Sequence, residues 1–103
     1  MNQEQRYEIQ DGVRHAKAAF LCGYESIDAQ IGAGPVFSVP LRNLRSPHKD
    51  RIDTVGINGL RWERVLRGTR AGIILPPIEV LPGSKGKTLE EVSVPQDEFD
   101  LFR

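Results

Sequence analysis

Residues 51–66 read RIDTVGINGLRWERVL, and the predicted fold depends on whether this stretch is strand or helix. At its centre lies the pair Asn58-Gly59, whose preference for positive backbone angles suits a two-residue hairpin turn. Pairing the chain across this turn sets apolar residues opposite one another on both faces. The sequence therefore predicts a β-hairpin. The alternative is a short helix that begins at Asn58 and ends at Gly68.

Upstream of this stretch, residues 3–22 are predicted to form a helix. Its apolar residues recur at spacings of four, three and four, which places them on one face: Ile9, Val13, Ala16 and Phe20. Gly23 can adopt the left-handed conformation that ends a helix. A second, short helical turn is expected after Ser26, which can cap it.

Short β-type segments lie on both sides of the predicted hairpin, at residues 36–39, 73–75 and 78–81. Residues 41–50 are expected to be a loop. The double proline between the last two strands is expected to confine them to a sheet edge. The predicted fold class is α+β: an N-terminal helix packed on a small, bent antiparallel sheet or partly closed barrel of four to five short strands.

Length and composition favour one intracellular domain. A chain of 103 residues can bury a single core without disulfides or metals. We expect a globular domain over residues 1–94 and an acidic C-terminal tail over residues 95–103. No segment is apolar for long enough to span a membrane, and the single cysteine, Cys22, cannot form an internal disulfide. These features predict a cytoplasmic protein without a membrane partner.

The charges cancel overall, with 14 basic and 14 acidic side chains, but they are unevenly distributed. Residues 34–70 contain eight bases and three acids, whereas residues 89–103 contain five acids and one base. Arginine forms a planar fork that suits phosphate, so this basic segment predicts contact with nucleic acid or another anionic partner. The candidate contact residues are Arg42, Arg45, Arg61, Arg64, Arg67 and Arg70.

The acidic tail contains the second candidate site, at Phe99, Asp100, Leu101 and Phe102. Large apolar side chains at the end of a charged segment are typical of docking peptides. The run from Glu98 to Phe102 resembles the peptide by which bacterial polymerases and repair proteins bind the sliding clamp, usually Gln-Leu-(Ser or Asp)-Leu-Phe. Three of its five positions match, and the resemblance implies a protein partner. The alternative is that these side chains pack on the domain as a last edge strand.

Catalytic and metal-binding motifs are weak in this sequence. The string Gly83-Ser84-Lys85-Gly86-Lys87-Thr88 lacks the first glycine of a phosphate-binding loop and is expected to be a loop tip. His15 and Cys22 lie about 10 Å apart along a helix, too far for a nucleophilic pair. The soft ligands are too few and too scattered for structural zinc. We therefore predict no enzyme, cofactor or metal.

The resulting function hypothesis is a small accessory or adaptor protein that acts by binding. It would serve DNA replication or repair, or be encoded by a mobile element, and use its arginines on an anionic partner and its tail on a protein. The alternative is a structural or inhibitory interaction protein of phage origin, oligomeric and without nucleic-acid binding. An enzyme using His15 or Cys22 is the least favoured hypothesis.

Overall fold

The structure, a computed structural model, describes residues 5–95. This part of the chain contains two helices, α1 (Val13–Leu21) and α2 (Gly56–Arg70), and six strands. The strands are β1 (Tyr7–Asp11), β2 (Ser26–Gln30), β3 (Phe37–Pro40), β4 (Leu44–Ser46), β5 (Ile78–Pro82) and β6 (Lys87–Thr88). A single 3-10 turn, Leu41–Asn43, connects β3 to β4.

The strands form one curled, half-barrel sheet in the order β3-β2-β5-β1-β4-β6. The pairs β1–β4 and β2–β5 are parallel, and the other three pairs are antiparallel. The predicted α+β class is confirmed. The prediction of a purely antiparallel sheet was wrong, and its four to five strands fall just short of the six present.

The predicted helix over residues 3–22 is only partly right, because its first part is the strand β1. Gly12 separates the two elements with a φ of 111°, and a Cβ at this position would collide with the side chain of Ile78. The apolar spacing from Ile9 to Val13 fits a helix, but both residues reach the same core from different elements. Periodicity alone could not reveal this break.

The helical turn predicted after Ser26 is the strand β2. Its buried residues, Ile27 and Ala29, alternate with exposed ones, which is the period of a half-buried strand. The predicted strand at residues 36–39 is confirmed as β3, and it lies at an edge of the sheet as expected. Residues 41–50 were wrongly predicted to be only a loop, since they include β4.

The predicted hairpin at residues 51–66 is wrong, because most of this stretch belongs to α2. The chain enters the helix through Asp53, whose carboxylate accepts a hydrogen bond of 2.9 Å from the N–H of Val55. Gly59 is needed for close packing rather than for a turn. It lacks a positive φ, and a Cβ there would collide with the carbonyl oxygen of Thr54. The helical alternative was correct in type, although the helix begins earlier than Asn58.

The double proline also has a different role from the predicted one. Pro76 and Pro77 precede β5, so their missing N–H groups are not needed in the ladder. β5 can therefore occupy the interior of the sheet, between β2 and β1, instead of an edge. Residues 73–75 form no strand, and the side chain of Ile74 is 92% exposed.

The core lies between the helices and the sheet. α1 and α2 pack against each other, and α1 also contacts β2 and β5. The largest fully buried side chains are Trp62, Ile9, Leu44, Ile52, Leu89, Val39, Val80 and Val92. Within residues 5–95, no helix has the length and apolar character needed to cross a bilayer.

Candidate binding surface on α2

α2 presents a buried face and an exposed face. Trp62, Gly59 and Thr69 are buried, and they lie on the side that meets the core. At 100° per residue, Arg61, Arg64 and Arg67 fall within about 120° of one another on the opposite side. These three arginines are exposed. The helix therefore gathers half of the predicted anion-binding residues on one accessible face.

Two apolar side chains lie among these arginines. Ile57 is 63% exposed and Leu60 is 62% exposed, and helical spacing places both on the arginine face. We call this surface, formed by Ile57, Leu60, Arg61, Arg64 and Arg67, the basic face of α2. Apolar and cationic groups side by side suit a ligand that is both anionic and apolar.

A groove runs beside the basic face and encloses a volume of about 480 Å³. Its walls include Leu60, Arg64, Arg67 and Ile73, and most of its lining is apolar. Gly68 contributes to the lining without a side chain, at 3.9 Å between an added Cβ and Ile73 Cδ1. The acid Glu63 also lines the groove, so the site is not uniformly cationic.

The guanidinium groups of the basic face are available to a ligand. Among the described residues, Arg61, Arg64 and Arg67 form no hydrogen bond or ion pair with one another or with the rest of the domain. Arg45 is different: it is half-buried, and its Nη1 donates to the carbonyl oxygens of Arg42 and Leu44 at 2.8 and 3.0 Å.

The remaining predicted arginines do not join the basic face. Arg42 is exposed in the 3-10 turn, and Arg45 belongs to β4, which pairs with β1 and β6. Arg70 is exposed in the last turn of α2 but lies about 180° around the helix from Arg61. Its position near the helix C-terminus is favourable for a cation whatever its ligand.

The glycine- and lysine-rich string after β5 is a loop over residues 83–86, and its last two residues, Lys87 and Thr88, form β6. The N–H of Lys85 donates to Oε2 of Glu8 at 3.0 Å, and a Cβ at Gly83 would collide with the same carboxylate. A backbone amide that already binds a carboxylate is not free to bind phosphate. The expectation of a loop tip agrees with this geometry over residues 83–86, but not at Lys87 and Thr88.

His15 and Cys22 do not form a recognisable catalytic pair. Burial lowers the pKa of His15, while its hydrogen bond to the Pro76 backbone and the nearby Asp28 carboxylate partly oppose that shift. Cys22 is half-buried and directly follows α1. In residues 5–95, no three His, Cys, Asp or Glu side chains come together as a metal ion would require.

Lys17 and Asp53 have structural roles. Lys17 is 5% exposed, and its Nζ donates to the carbonyl oxygen of Leu89 at 2.6 Å, which ties the turn that follows β6 to α1. Burial lowers the pKa of this lysine. Hydrogen bonds from Val55 and Asn58 lower the pKa of Asp53 and hold its carboxylate at the start of α2.

A second basic cluster was missed from the sequence. A cavity of about 120 Å³ at the N-terminal end of α1 is lined by Arg14, His48 and Lys49 together with the acid Asp11. These residues come from separate segments, and only the strand–Gly12–helix junction brings them together. A signal was present in Asp11-Gly12, a dipeptide that favours a break in regular structure.

The second predicted site, at Phe99, Asp100, Leu101 and Phe102, lies outside the described residues. The last described residues, up to Pro95, run beside the segment that leads into α2. No protein-family model, curated protein or solved structure matches the chain. The α+β fold and the basic face of α2 are therefore the basis for a functional proposal.

Proposed function

We propose that the protein is a small accessory protein that acts by binding, with the basic face of α2 contacting an anionic partner such as nucleic acid. The observation that supports this proposal is the placement of three exposed arginines on one helix face. Phosphate contacts of this kind contribute affinity that depends strongly on salt. The interleaved Leu60 and Ile57 add apolar surface for bases or for a protein side chain.

The C-terminal peptide provides the second part of the proposal. Through Phe99, Asp100, Leu101 and Phe102 it docks on a protein, and its resemblance to clamp-binding peptides favours replication or repair machinery. A protein of this kind, including one encoded by a mobile element, would connect nucleic acid to that machinery in the cytoplasm.

The arginine contact is tested by fluorescence anisotropy of a labelled oligonucleotide, single-stranded and duplex, over a series of salt concentrations. The test variant is Arg61→Ala/Arg64→Ala/Arg67→Ala. If each arginine neutralises one duplex phosphate, the slope of log K against log salt becomes shallower by about 2.7. A threefold control, Arg6→Ala/Lys85→Ala/Lys87→Ala, removes the same charge elsewhere and keeps the wild-type slope.

Two results would overturn the arginine contact. One is the absence of salt-dependent binding by the wild type. The other is an equal loss in both threefold variants, which would indicate a diffuse effect of net charge rather than a contact at α2.

The tail contact is tested by surface plasmon resonance on an immobilised bacterial sliding clamp. Leu101→Ala/Phe102→Ala removes the two matching apolar anchors and is expected to abolish binding, whereas Arg103→Ala is the control outside the motif. Binding that survives the double substitution would rule out the clamp motif.

A second candidate function is supported by the exposed apolar side chains around α2. Leu60 is 62% exposed, Ile73 is 61% exposed and Ile74 is 92% exposed, and Leu60 and Ile73 line the same groove. Apolar residues grouped in this way are typical of protein interfaces. A structural or inhibitory protein that oligomerises through this region would show a mass that rises with concentration in light scattering and returns to monomer in Ile73→Ser/Ile74→Ser.

A further inference from the structure

The groove beside the basic face has an unusual combination of linings. Leu60 and Ile73 expose apolar surface, while Arg64 and Arg67 place guanidinium groups along the same opening. An occupant must therefore bring apolar side chains and negative charges at short spacing. A plain hydrophobic helix would leave the arginines unpaired, and a simple anion would leave the apolar wall in water.

One segment of this chain has that composition. Residues 96–103 read QDEFDLFR, with the acids Asp97, Glu98 and Asp100 placed among Phe99, Leu101 and Phe102. With the base Arg103, the segment carries a net charge of −2, which is opposite in sign to the groove, where Arg64 and Arg67 outnumber Glu63. Its three large apolar side chains are of the same kind as the apolar wall of the groove. The charge and the apolar character of the groove are thus complementary to this one segment.

The position of Pro95 places this segment within reach of the groove. Ser93 pairs in parallel with Arg51, so residues 93–95 run in the same direction as the chain that enters α2. The carbonyl oxygen of Pro95 accepts a long hydrogen bond of 3.5 Å from Thr54 Oγ1, two residues before the helix begins. The segment therefore starts at the N-terminal end of α2.

Chain length is sufficient for an intramolecular contact. Eight residues span up to about 26 Å when extended. Along the helix axis, Leu60 lies about 6 Å and Arg67 about 16 Å from Gly56. The segment can therefore follow the basic face from its start to Arg67 without moving the domain.

From these observations we infer that residues 96–103 dock in cis on the groove beside α2, with their acids on Arg64 and Arg67 and their apolar side chains on Leu60 and Ile73. Docking in cis needs no second molecule, and a short connection gives a high effective concentration. In this docked state the basic face of α2 is covered and the C-terminal peptide is not available to a protein partner. A nucleic acid that binds the basic face would therefore displace the tail and free the peptide to dock. Only this last consequence rests on the proposed function.

The test is paramagnetic relaxation enhancement in the full chain. A nitroxide is attached at Arg103→Cys in a Cys22→Ser background, and amide intensities of α2 and Ile73 are compared with the reduced spin label. We expect the amides of Leu60, Arg64, Gly68 and Ile73 to lose most of their intensity at high dilution. Phe99→Ser/Leu101→Ser/Phe102→Ser in the same labelled chain should restore that intensity.

Charge reversal identifies the groove as the site. Arg64→Glu/Arg67→Glu is expected to release the tail, and adding Asp97→Lys/Asp100→Lys is expected to restore the broadening. Both arginines are exposed, and the amide spectrum itself reports that each variant is folded. A tail near α2 only because of its tether would show the same broadening in all these variants, which would overturn the inference.

The remaining outcomes also decide the question. In a second experiment, spin-labelled chain is mixed with isotope-labelled chain that carries no spin label. Broadening of the isotope-labelled amides would mean that the tail comes from a second copy, which would contradict docking in cis. Absence of broadening would leave the groove to an external partner and also contradict it. Oligonucleotide binding by the anisotropy assay is measured separately, so either proposal can fail while the other stands.

Discussion

The two faces of α2 differ in burial and in their contacts with the rest of the domain. On the buried face, Trp62 is 2% exposed and Gly59 touches the chain that precedes the helix. On the basic face, Leu60 is 62% exposed and the arginines have no partner among residues 5–95. The comparison indicates that the buried face contributes most to stability, and the proposed function assigns binding to the basic face.

The largest expected effect is at the buried face. Trp62→Ala removes the largest fully buried side chain and should lower the free energy of unfolding by about 3–5 kcal/mol. Urea denaturation followed by circular dichroism measures it. A loss below about 1 kcal/mol would show that the helix is not held by this residue.

Two of the glycines of α2, Gly59 and Gly68, give a matched pair across the two faces. Gly59→Ala forces a Cβ against the Thr54 carbonyl oxygen and is expected to cost about 1–3 kcal/mol. At Gly68 the added Cβ meets only ordinary contacts, so Gly68→Ala should be neutral or stabilise by up to about 1 kcal/mol. Equal effects in thermal denaturation would argue that the faces are not different.

A smaller effect is expected at His15, where the chain after α2 returns to the sheet. Burial lowers the pKa of His15 in the folded protein, so the unfolded chain binds more protons as the pH falls through about 6.5. The free energy of unfolding should therefore decrease as the pH is lowered from about 7.5 to about 5.5. This decrease should be weaker in His15→Gln. His48→Gln is the control, because it removes an exposed imidazole. An unchanged pH dependence of stability in His15→Gln would contradict the prediction.

The smallest effects on stability are expected on the basic face. Leu60→Ser and Arg64→Ala change exposed side chains, so each should shift the free energy of unfolding by no more than about 0.5 kcal/mol. The same urea titration used for Trp62→Ala measures both. A loss of more than about 1 kcal/mol in either variant would mean that this face is also part of the packing.

Sequence reasoning captured the fold class but not several elements. It identified Val36–Val39 as a strand because β-type residues lie between prolines, and that signal is local. It missed the break at Gly12, because Ile9 and Val13 keep helical spacing while belonging to a strand and a helix. It assigned Asn58-Gly59 to a turn. In the structure, position 59 needs a glycine because a Cβ there would collide with the carbonyl oxygen of Thr54, and turn-forming sequence patterns do not reveal this contact.

The candidate site could be predicted only in part, because its residues are visible in the sequence but the contacts between its segments are not. Composition indicated the arginines as candidates. Helical spacing in α2 brings Arg61, Arg64 and Arg67 together, although the sequence analysis had predicted a β-hairpin there. The groove could not be foreseen, since Ile73 meets the helix only after the turn at Gly72. Arg42 and Arg45 were grouped with the others because they lie in the same basic segment of the sequence, but they belong to the 3-10 turn and to β4 rather than to α2.

The most direct test of the binding surface is an amide chemical-shift titration of the wild-type chain with a single-stranded oligonucleotide at low salt. If the basic face of α2 is the contact, the largest shifts will lie at Leu60, Arg61, Arg64 and Arg67 and will disappear as salt is raised. Shifts concentrated at Arg14, His48 and Lys49 would instead place the contact at the cavity beside α1 and contradict the proposed surface.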